Sequence, residues 1–244
     1  MTLALAQSMI DTDGYDHATS VGYFLDWLDT GRFSSADKSF DWGGTTRLSL
    51  RYWRTDIAKI GERKQLEKTQ QTVRKIARRV AGVQSEVTHP MRSCMEACQL
   101  YTDLMTGVML GESKEQLFER VKSFEFINPN PQLANRIRKY KTLQEWKATK
   151  PEDITSTGFV IDTLECVLWG FFRYNGFANG AIAVVNLAGD ADSVGAIYGA
   201  LAGAYYGVEC IPSIWTSKMQ KPDLIEQVAN QFAEKVAANA FASS

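Results

Sequence analysis

Few folds can accommodate a helix with the spacing of small residues found between positions 194 and 207. Glycine recurs there at every fourth position and is followed each time by alanine, at Gly195, Gly199 and Gly203 and at Ala196, Ala200 and Ala204. A four-residue spacing places such positions on one face of an α-helix. Glycine inside a helix costs about 1 kcal/mol relative to alanine, so close packing against another backbone must compensate for three of them. The run therefore predicts a central, buried helix.

Proline is scarce in the rest of the chain, and four of the six prolines fall between Pro90 and Pro151. The long segments that remain carry apolar residues mostly at helical rather than alternating spacing, which favours an all-α fold. The chain has 244 residues, 45% of them hydrophobic, and is long enough for one sizeable core. We predict a compact, all-α single domain over residues 1–244. The predicted helices cover residues 1–10 (with no capping residue before it), 17–30, 63–79, 90–110 and 194–207, another helix starts near position 46, and loops cover residues 31–45 and 124–131.

The charge balance excludes a strong overall electrostatic field. Lysine and arginine together number 27, aspartate and glutamate 28, and the formal net charge is -1. Such a balance does not attract nucleic acid or an anionic membrane. The segment 63–79 holds seven basic residues and one glutamate. We interpret it as an amphipathic helix with a solvated basic face, because it lacks the interleaved aromatic residues that would stack on bases. No nucleic-acid partner is expected.

Neither a membrane segment nor a secretory leader is expected from the sequence. The most apolar stretch, residues 194–208, is shorter than the roughly 20 residues of a spanning helix. The N-terminus has no basic lead and no cleavage site. The four cysteines are too few to staple a chain of this length and are interpreted as reduced thiols; they are Cys94, Cys98, Cys166 and Cys210. We predict a cytoplasmic or nuclear protein.

Two carboxylates and a hydroxyl stand just before the small-residue run, at Asp190, Asp192 and Ser193. Oxygen ligands that converge where a loop enters a helix suit hard cations such as Mg²⁺ or Mn²⁺. The alternative is helix capping, with Asp192 or Ser193 as the N-cap residue, since these residue types satisfy the free amides of a first turn. Spacing alone leaves both interpretations open.

The segment Gly189-Asp190-Ala191-Asp192-Ser193-Val194-Gly195, together with residues 199–207, resembles the signature of the ADP-ribosylglycohydrolases, the family of dinitrogenase reductase-activating glycohydrolase and the ADP-ribosyl-acceptor hydrolases. Further segments resemble other family elements and occur in family order, so the resemblance covers most of the chain. They are residues 32–46, Thr88-His89-Pro90, residues 158–165 and residues 210–215.

The resemblance implies a compact orthogonal helical bundle that holds a binuclear Mg²⁺ or Mn²⁺ centre and cleaves ADP-ribose from an acceptor. Carried over residue by residue, it implies three metal ligands: Asp190, Asp192 and Ser193. It also implies a pocket for ADP-ribose lined by His89, Gly158, Phe159 and Gly189. No catalytic residue is assigned. The expected partner is ADP-ribose or an ADP-ribosylated protein.

The sequence departs from the family pattern in two places. The family's first metal motif, a Thr-Asp-Asp run, precedes an apolar helix that resembles residues 1–6 here, so the fold is expected to be incomplete at its N-terminus and to supply only half of the metal site. A Gly-Asn-Gly-rich substrate loop is expected between Arg54 and Thr88, where the basic segment 63–79 stands instead.

Three functional interpretations therefore stay open. The first is a metal-dependent hydrolase that removes ADP-ribose from modified protein side chains or related conjugates. The second is a catalytically impaired member that acts as an ADP-ribose-binding or protein-interaction module. The third is a helical structural protein whose acidic motif is only a cap. The sequence leaves the acceptor and the oligomeric state open.

Overall fold

The computed structural model describes residues 1–40, 44–60, 73–127 and 131–242. Every regular element in these ranges is a helix, which confirms the all-α prediction. The thirteen α-helices of the described ranges are α1 (Thr2–Thr12), α2 (His17–Thr30), α3 (Gly44–Ile60), α4 (Val73–Glu86), α5 (Arg92–Met109), α6 (Lys114–Lys122), α7 (Gln132–Arg138), α8 (Leu143–Ala148), α9 (Val160–Arg173), α10 (Phe177–Val185), α11 (Ala191–Tyr206), α12 (Ser213–Thr216) and α13 (Pro222–Ala242). Two 3₁₀ turns cover Pro151–Asp153 and Val208–Cys210.

Several predicted boundaries are confirmed. The predicted helix over residues 17–30 is α2 and the helix over 90–110 is α5. Helix α1 begins at Thr2, and its N-cap residue, Met1, makes no side-chain capping hydrogen bond. The loop predicted over 31–45 is shorter, because α3 begins at Gly44. Most of the basic segment 63–79 lies outside the described residues, and its last part forms the start of α4. Within the predicted loop 124–131, residues 124–127 are irregular and 128–130 lie outside the described residues.

The chain divides into two compact units. The first comprises residues 1–69, 87–89 and 216–244. Its apolar core is formed by α1, α2 and α3 together with Val87, and the Trp53 indole N–H donates to the Val87 carbonyl at 2.8 Å. The prediction of one domain over residues 1–244 stays a prediction.

The second unit comprises residues 70–86 and 90–215, and α9 is its centre. All twelve residues from Ile161 to Phe172 are buried. A helix buried on every side must be surrounded by other elements, and α5, α7, α8, α10 and α11 all pack against α9. No helix within the described ranges is long and apolar enough to cross a membrane.

The prediction that the small-residue helix is the buried centre is wrong, because α9 has that place. In α11 the buried residues are Val194, Tyr198, Leu201 and Ala202, whereas the three alanines of the small-residue face are exposed. A Cβ built at Gly199 would meet no atom within 4 Å. The physical reason is that Val194, Tyr198 and Leu201 also repeat at helical spacing and bury far more apolar area than glycine and alanine can.

Candidate active site

The loop that enters α11 is held against residue 156 by a backbone contact. Gly189 has a positive φ of 66°, a conformation that side chains with a Cβ rarely adopt. A Cβ at this position would lie far inside van der Waals contact with the Ser156 carbonyl oxygen. That same oxygen accepts a hydrogen bond from the Asp190 amide at 3.1 Å. Glycine at position 189 therefore lets the start of α11 approach the loop that precedes α9.

The capping interpretation of this motif is wrong. The N-cap residue of α11 is Asp190 rather than Asp192 or Ser193, and its side chain makes no capping hydrogen bond. Instead, the Ser193 hydroxyl donates to Asp190 Oδ1 at 3.0 Å. Asp190 Oδ2 points towards Gly158, where an added Cβ would come within 3.0 Å of it. The carboxylate thus faces the α9 loop rather than the first-turn amides of its own helix.

The three predicted metal ligands all stand at the start of α11. Asp190 and Ser193 are joined by their hydrogen bond, while Asp192 is exposed in the first turn of α11. No group of three or more His, Cys, Asp or Glu side chains suited to a metal ion occurs within the described ranges.

The chemistry of the donors nevertheless suits a hard divalent cation. Asp190 and Ser193 offer only oxygen atoms, which Mg²⁺ and Mn²⁺ prefer. Gly158 leaves the space beside Asp190 Oδ2 free of a side chain, and any larger residue there would crowd that oxygen. The metal assignment therefore stays a prediction that these residues fit.

Two of the predicted ADP-ribose residues lie on the loop that faces Asp190. Gly158 and Phe159 precede α9, and the Phe159 residue is 46% exposed, so its ring is available for stacking. The loop carries further functional candidates that the sequence analysis missed. Thr157 Oγ1 donates to Asp162 Oδ2 at 2.7 Å and accepts from the Phe159 amide at 3.1 Å. Hydroxyl residues just before an apolar helix are typical of a helix start, and this signal could have identified Thr157.

His89 belongs to the first compact unit, whereas the other predicted ligand-binding residues belong to the second. Its ring nitrogen Nδ1 lies 3.0 Å from the Thr88 hydroxyl. Partial burial lowers the pKa of His89 below the usual value, which favours the neutral imidazole at pH 7. Its assignment to an ADP-ribose pocket stays a prediction.

The chain is similar in sequence and in fold to known proteins. Residues 1–241 match the family model described as ADP-ribosylglycohydrolase. The chain is 30% identical to an ADP-ribosylarginine hydrolase Tri1 from Pseudomonas putida (strain GB-1), over 96% of this chain and 65% of that protein. It is 29% identical to the protein of the same name from Serratia proteamaculans (strain 568), over 95% of this chain and 64% of that protein. The chain thus spans slightly less than two thirds of the length of these curated relatives.

Two further matches are a relative that aligns with a short segment of the chain and a solved structure with a similar fold. A stretch of 64 residues, 26% of this chain and 22% of the relative, is 47% identical to the ADP-ribosyl-[dinitrogen reductase] glycohydrolase of Rhodospirillum rubrum. A solved structure described as an ADP-ribosylglycohydrolase-related protein complex superposes with a TM-score of 0.70 and 26% sequence identity. It covers 96% of this chain and 78% of the solved chain, so the helical arrangement is that of this group of structures.

Proposed function

Because this chain belongs to the ADP-ribosylglycohydrolase family, we propose that it is a hydrolase that removes ADP-ribose from modified protein side chains. The family match over residues 1–241 is the observation that carries the proposal. Two relatives that align with nearly the whole of this chain bear the name ADP-ribosylarginine hydrolase. ADP-ribosylated arginine is therefore the first substrate to test, and other ADP-ribose conjugates follow in the same assay.

The proposed reaction breaks the bond between the anomeric carbon of the ribose and a guanidinium nitrogen of arginine. Water supplies a hydroxyl group to the anomeric carbon and a proton to the departing nitrogen. The products are free ADP-ribose and unmodified arginine. Positive charge develops on the ribose as this bond breaks, as in other glycoside hydrolyses.

We further propose that Asp190, Asp192 and Ser193 hold a divalent cation, Mg²⁺ or Mn²⁺. The hydrogen bond between Ser193 and Asp190 supports this, since it keeps two oxygen donors together at the start of α11. The space left by Gly158 beside Asp190 Oδ2 gives further support. When bound, such a cation polarises water and substrate oxygens and orients the substrate. Water or substrate oxygens would supply the remaining ligands of such a cation.

The function is tested by incubating the chain with a protein ADP-ribosylated on arginine and measuring free ADP-ribose, with Mg²⁺ and with EDTA. We expect release with Mg²⁺ and none with EDTA. Asp190→Asn should abolish release, whereas Asp153→Asn, which changes an exposed carboxylate in a 3₁₀ turn, should not. Release that EDTA does not affect would contradict the metal assignment while leaving the hydrolase proposal intact.

A binding measurement distinguishes the enzyme from a binding module. Calorimetric titration with ADP-ribose should show binding that requires Mg²⁺. Thermal melts provide the matching control, because a ligand bound only to the native state raises the melting temperature. Asp190→Ala should remove any rise caused by Mg²⁺. ADP-ribose binding without hydrolysis of any conjugate would favour the non-catalytic module, and the absence of both would contradict the proposed function.

A further inference from the structure

A cluster of charged side chains surrounds the first two turns of the central helix α9. Glu165 is almost completely buried, and the Asp162 side chain is only 12% exposed. Arg136, on α7, donates through Nη1 to Asp162 Oδ1 at 3.0 Å and to Glu165 Oε2 at 2.7 Å. The Tyr140 hydroxyl donates to Glu165 Oε1 at 2.7 Å, and the Lys139 ammonium lies 2.5 Å from the same oxygen. Every carboxylate oxygen named here has a donor.

Burial of two carboxylates in an otherwise apolar helix carries an unfavourable desolvation free energy. Removing an ion from water costs several kcal/mol even after relaxation, and replacing a buried ion pair by apolar residues is often neutral or stabilising. Hydrogen bonding to Glu165 raises the pKa of Arg136, as expected for a guanidinium held between two carboxylates. Packing of α7 on α9 alone could be achieved with apolar side chains. We therefore looked for a role of this cluster other than stabilising the packing of α7 on α9.

Asp162 has one oxygen for the cluster and one for the loop of the candidate site. Oδ1 accepts from Arg136, and Oδ2 accepts from the Thr157 hydroxyl at 2.7 Å. Because a carboxylate can only accept, the Thr157 hydroxyl must point its proton at Asp162. The lone pairs of that hydroxyl are then free to accept from the Phe159 amide at 3.1 Å. Asp162 thus fixes both the position and the direction of the hydrogen bonds in this loop.

The loop in turn contacts Asp190 at two points. The Ser156 carbonyl accepts from the Asp190 amide at 3.1 Å. Gly158 lies directly beside Asp190 Oδ2. The Thr163 hydroxyl adds a second anchor, since it donates to the Thr157 carbonyl at 2.9 Å. A continuous set of contacts therefore runs from the buried cluster through Thr157 to the carboxylate at the start of α11.

We propose that Asp162, held by Arg136, and Thr157 are positioning residues that set the loop of residues 156–159 against Asp190. This role rests on the proposed function of the site. Asp162 lies in the first turn of α9, where an acidic residue commonly interacts with the free amides of the helix. Here both of its oxygens instead accept from the side chains of Arg136 and Thr157.

The structural part of the proposal is tested by amide hydrogen exchange, which does not depend on activity. Thr157→Val keeps the shape of the side chain but loses the hydroxyl. Loss of one hydrogen bond should speed exchange of the Phe159 and Asp190 amides by about five- to tenfold. Thr157→Ser keeps the hydroxyl and should recover most of that protection. Thr106→Val is the matched control, because the Thr106 hydroxyl bonds only within its own helix, to the Thr102 carbonyl. Unchanged exchange in Thr157→Val would overturn the proposal.

The functional part is tested by titrating ADP-ribose and by steady-state hydrolysis with the same variants. Thr157→Val and Asp162→Asn should each weaken ADP-ribose binding by about five- to tenfold, and the double variant should be little worse than either single one, since both remove the same contact. A merely structural role would lower the melting temperature without this coupling. If the wild-type chain hydrolyses its substrate and Thr157→Val matches it in kcat and KM, the positioning role is refuted. If the wild-type chain neither binds nor hydrolyses, the proposed function fails, while the exchange result still decides whether Thr157 orders the loop.

Discussion

Substitution of Gly189 by alanine tests whether the contact between the α11 start and the α9 loop holds the site together. Alanine at a left-handed φ costs roughly 1–2 kcal/mol. Its Cβ would also collide with the Ser156 carbonyl, which is backbone and cannot rotate away. The two backbone segments must separate, and the hydrogen bond from the Asp190 amide is lost with them. An unsatisfied buried polar group costs a further 1–3 kcal/mol, roughly.

These two contributions together predict that Gly189→Ala lowers the free energy of unfolding by about 2–5 kcal/mol. For a chain of this size, that corresponds to a fall in melting temperature of about 4–20 °C. Urea unfolding followed by circular dichroism measures the free energy, and a calorimetric ADP-ribose titration measures the site. We expect both the free energy of unfolding and the affinity for ADP-ribose to fall, because the substitution displaces Asp190 from Gly158.

Gly199→Ala is the matched control, since it makes the same chemical change inside α11, ten residues after Gly189. A Cβ at Gly199 would meet nothing within 4 Å, and the residue lies inside α11. Alanine should therefore stabilise the chain by about 1 kcal/mol and leave ADP-ribose binding unchanged. The reasoning would be refuted if Gly189→Ala unfolded at the wild-type urea concentration, or if the two alanine variants lost stability equally.

Three further substitutions have expected outcomes, each measured by urea unfolding against wild type. Asp16→Ala removes the acceptor of the Thr19 amide at 2.7 Å and should lower the free energy of unfolding by about 1 kcal/mol at pH 7. Hydrogen bonds from the Thr19 hydroxyl and then from the Thr19 amide lower the pKa of Asp16, so this cost should disappear as the pH falls through the lowered pKa, and a constant difference would contradict this. Lys114→Met leaves two backbone carbonyls without their donor and should lower the free energy of unfolding by about 2 kcal/mol. Burial lowers the pKa of Lys114 to about 8, so the wild-type chain should gain stability relative to the variant between pH 8 and 10.5, and a loss over that range would contradict the lowered pKa. Gly180→Ala places a Cβ against the buried Tyr198 hydroxyl and should lower the free energy of unfolding by about 1–3 kcal/mol. Adding Tyr198→Phe removes that hydroxyl and should restore part of the lost stability, whereas no recovery would indicate a different clash.

Local signals in the sequence were sufficient for elements that carry their own capping residues. The bounds of α2 follow from Asp16, whose side chain caps the first turn, and from Gly31, which ends the helix in the left-handed conformation. The start of α11 was not predicted in this way: the helix was expected from residue 194, but it begins at Ala191, after an N-cap residue, Asp190, whose side chain makes no capping hydrogen bond. The pairing of Asp190 with Ser193 was also predictable, because residues three apart lie on one side of a helix start.

The sequence does not reveal features that depend on which face of a helix meets another element. Helix α9 carries polar residues, Asp162, Thr163 and Glu165, that would be expected at a surface, yet all of them are buried, so its sequence does not mark it as central. The small-residue run of α11 resembled a packing face, but the larger side chains on its opposite face decided its orientation. The hydrogen bond between Arg136 and Asp162 joins segments more than twenty residues apart, and periodicity within either segment contains no information about it.

The buried cluster also determines the position of the short helix α7 along the axis of α9. Apolar surfaces tolerate sliding, because one methyl group can replace another at nearly the same energy. A slip of one helical turn, about 5.4 Å, would carry Arg136 away from both Asp162 and Glu165 and leave Asp162 Oδ1 inside the protein without its donor. The ion pairs therefore select a single register of α7 on α9. Since the loop of residues 156–159 leads directly into α9, the register of α7 on α9 also sets the position of this loop relative to Asp190.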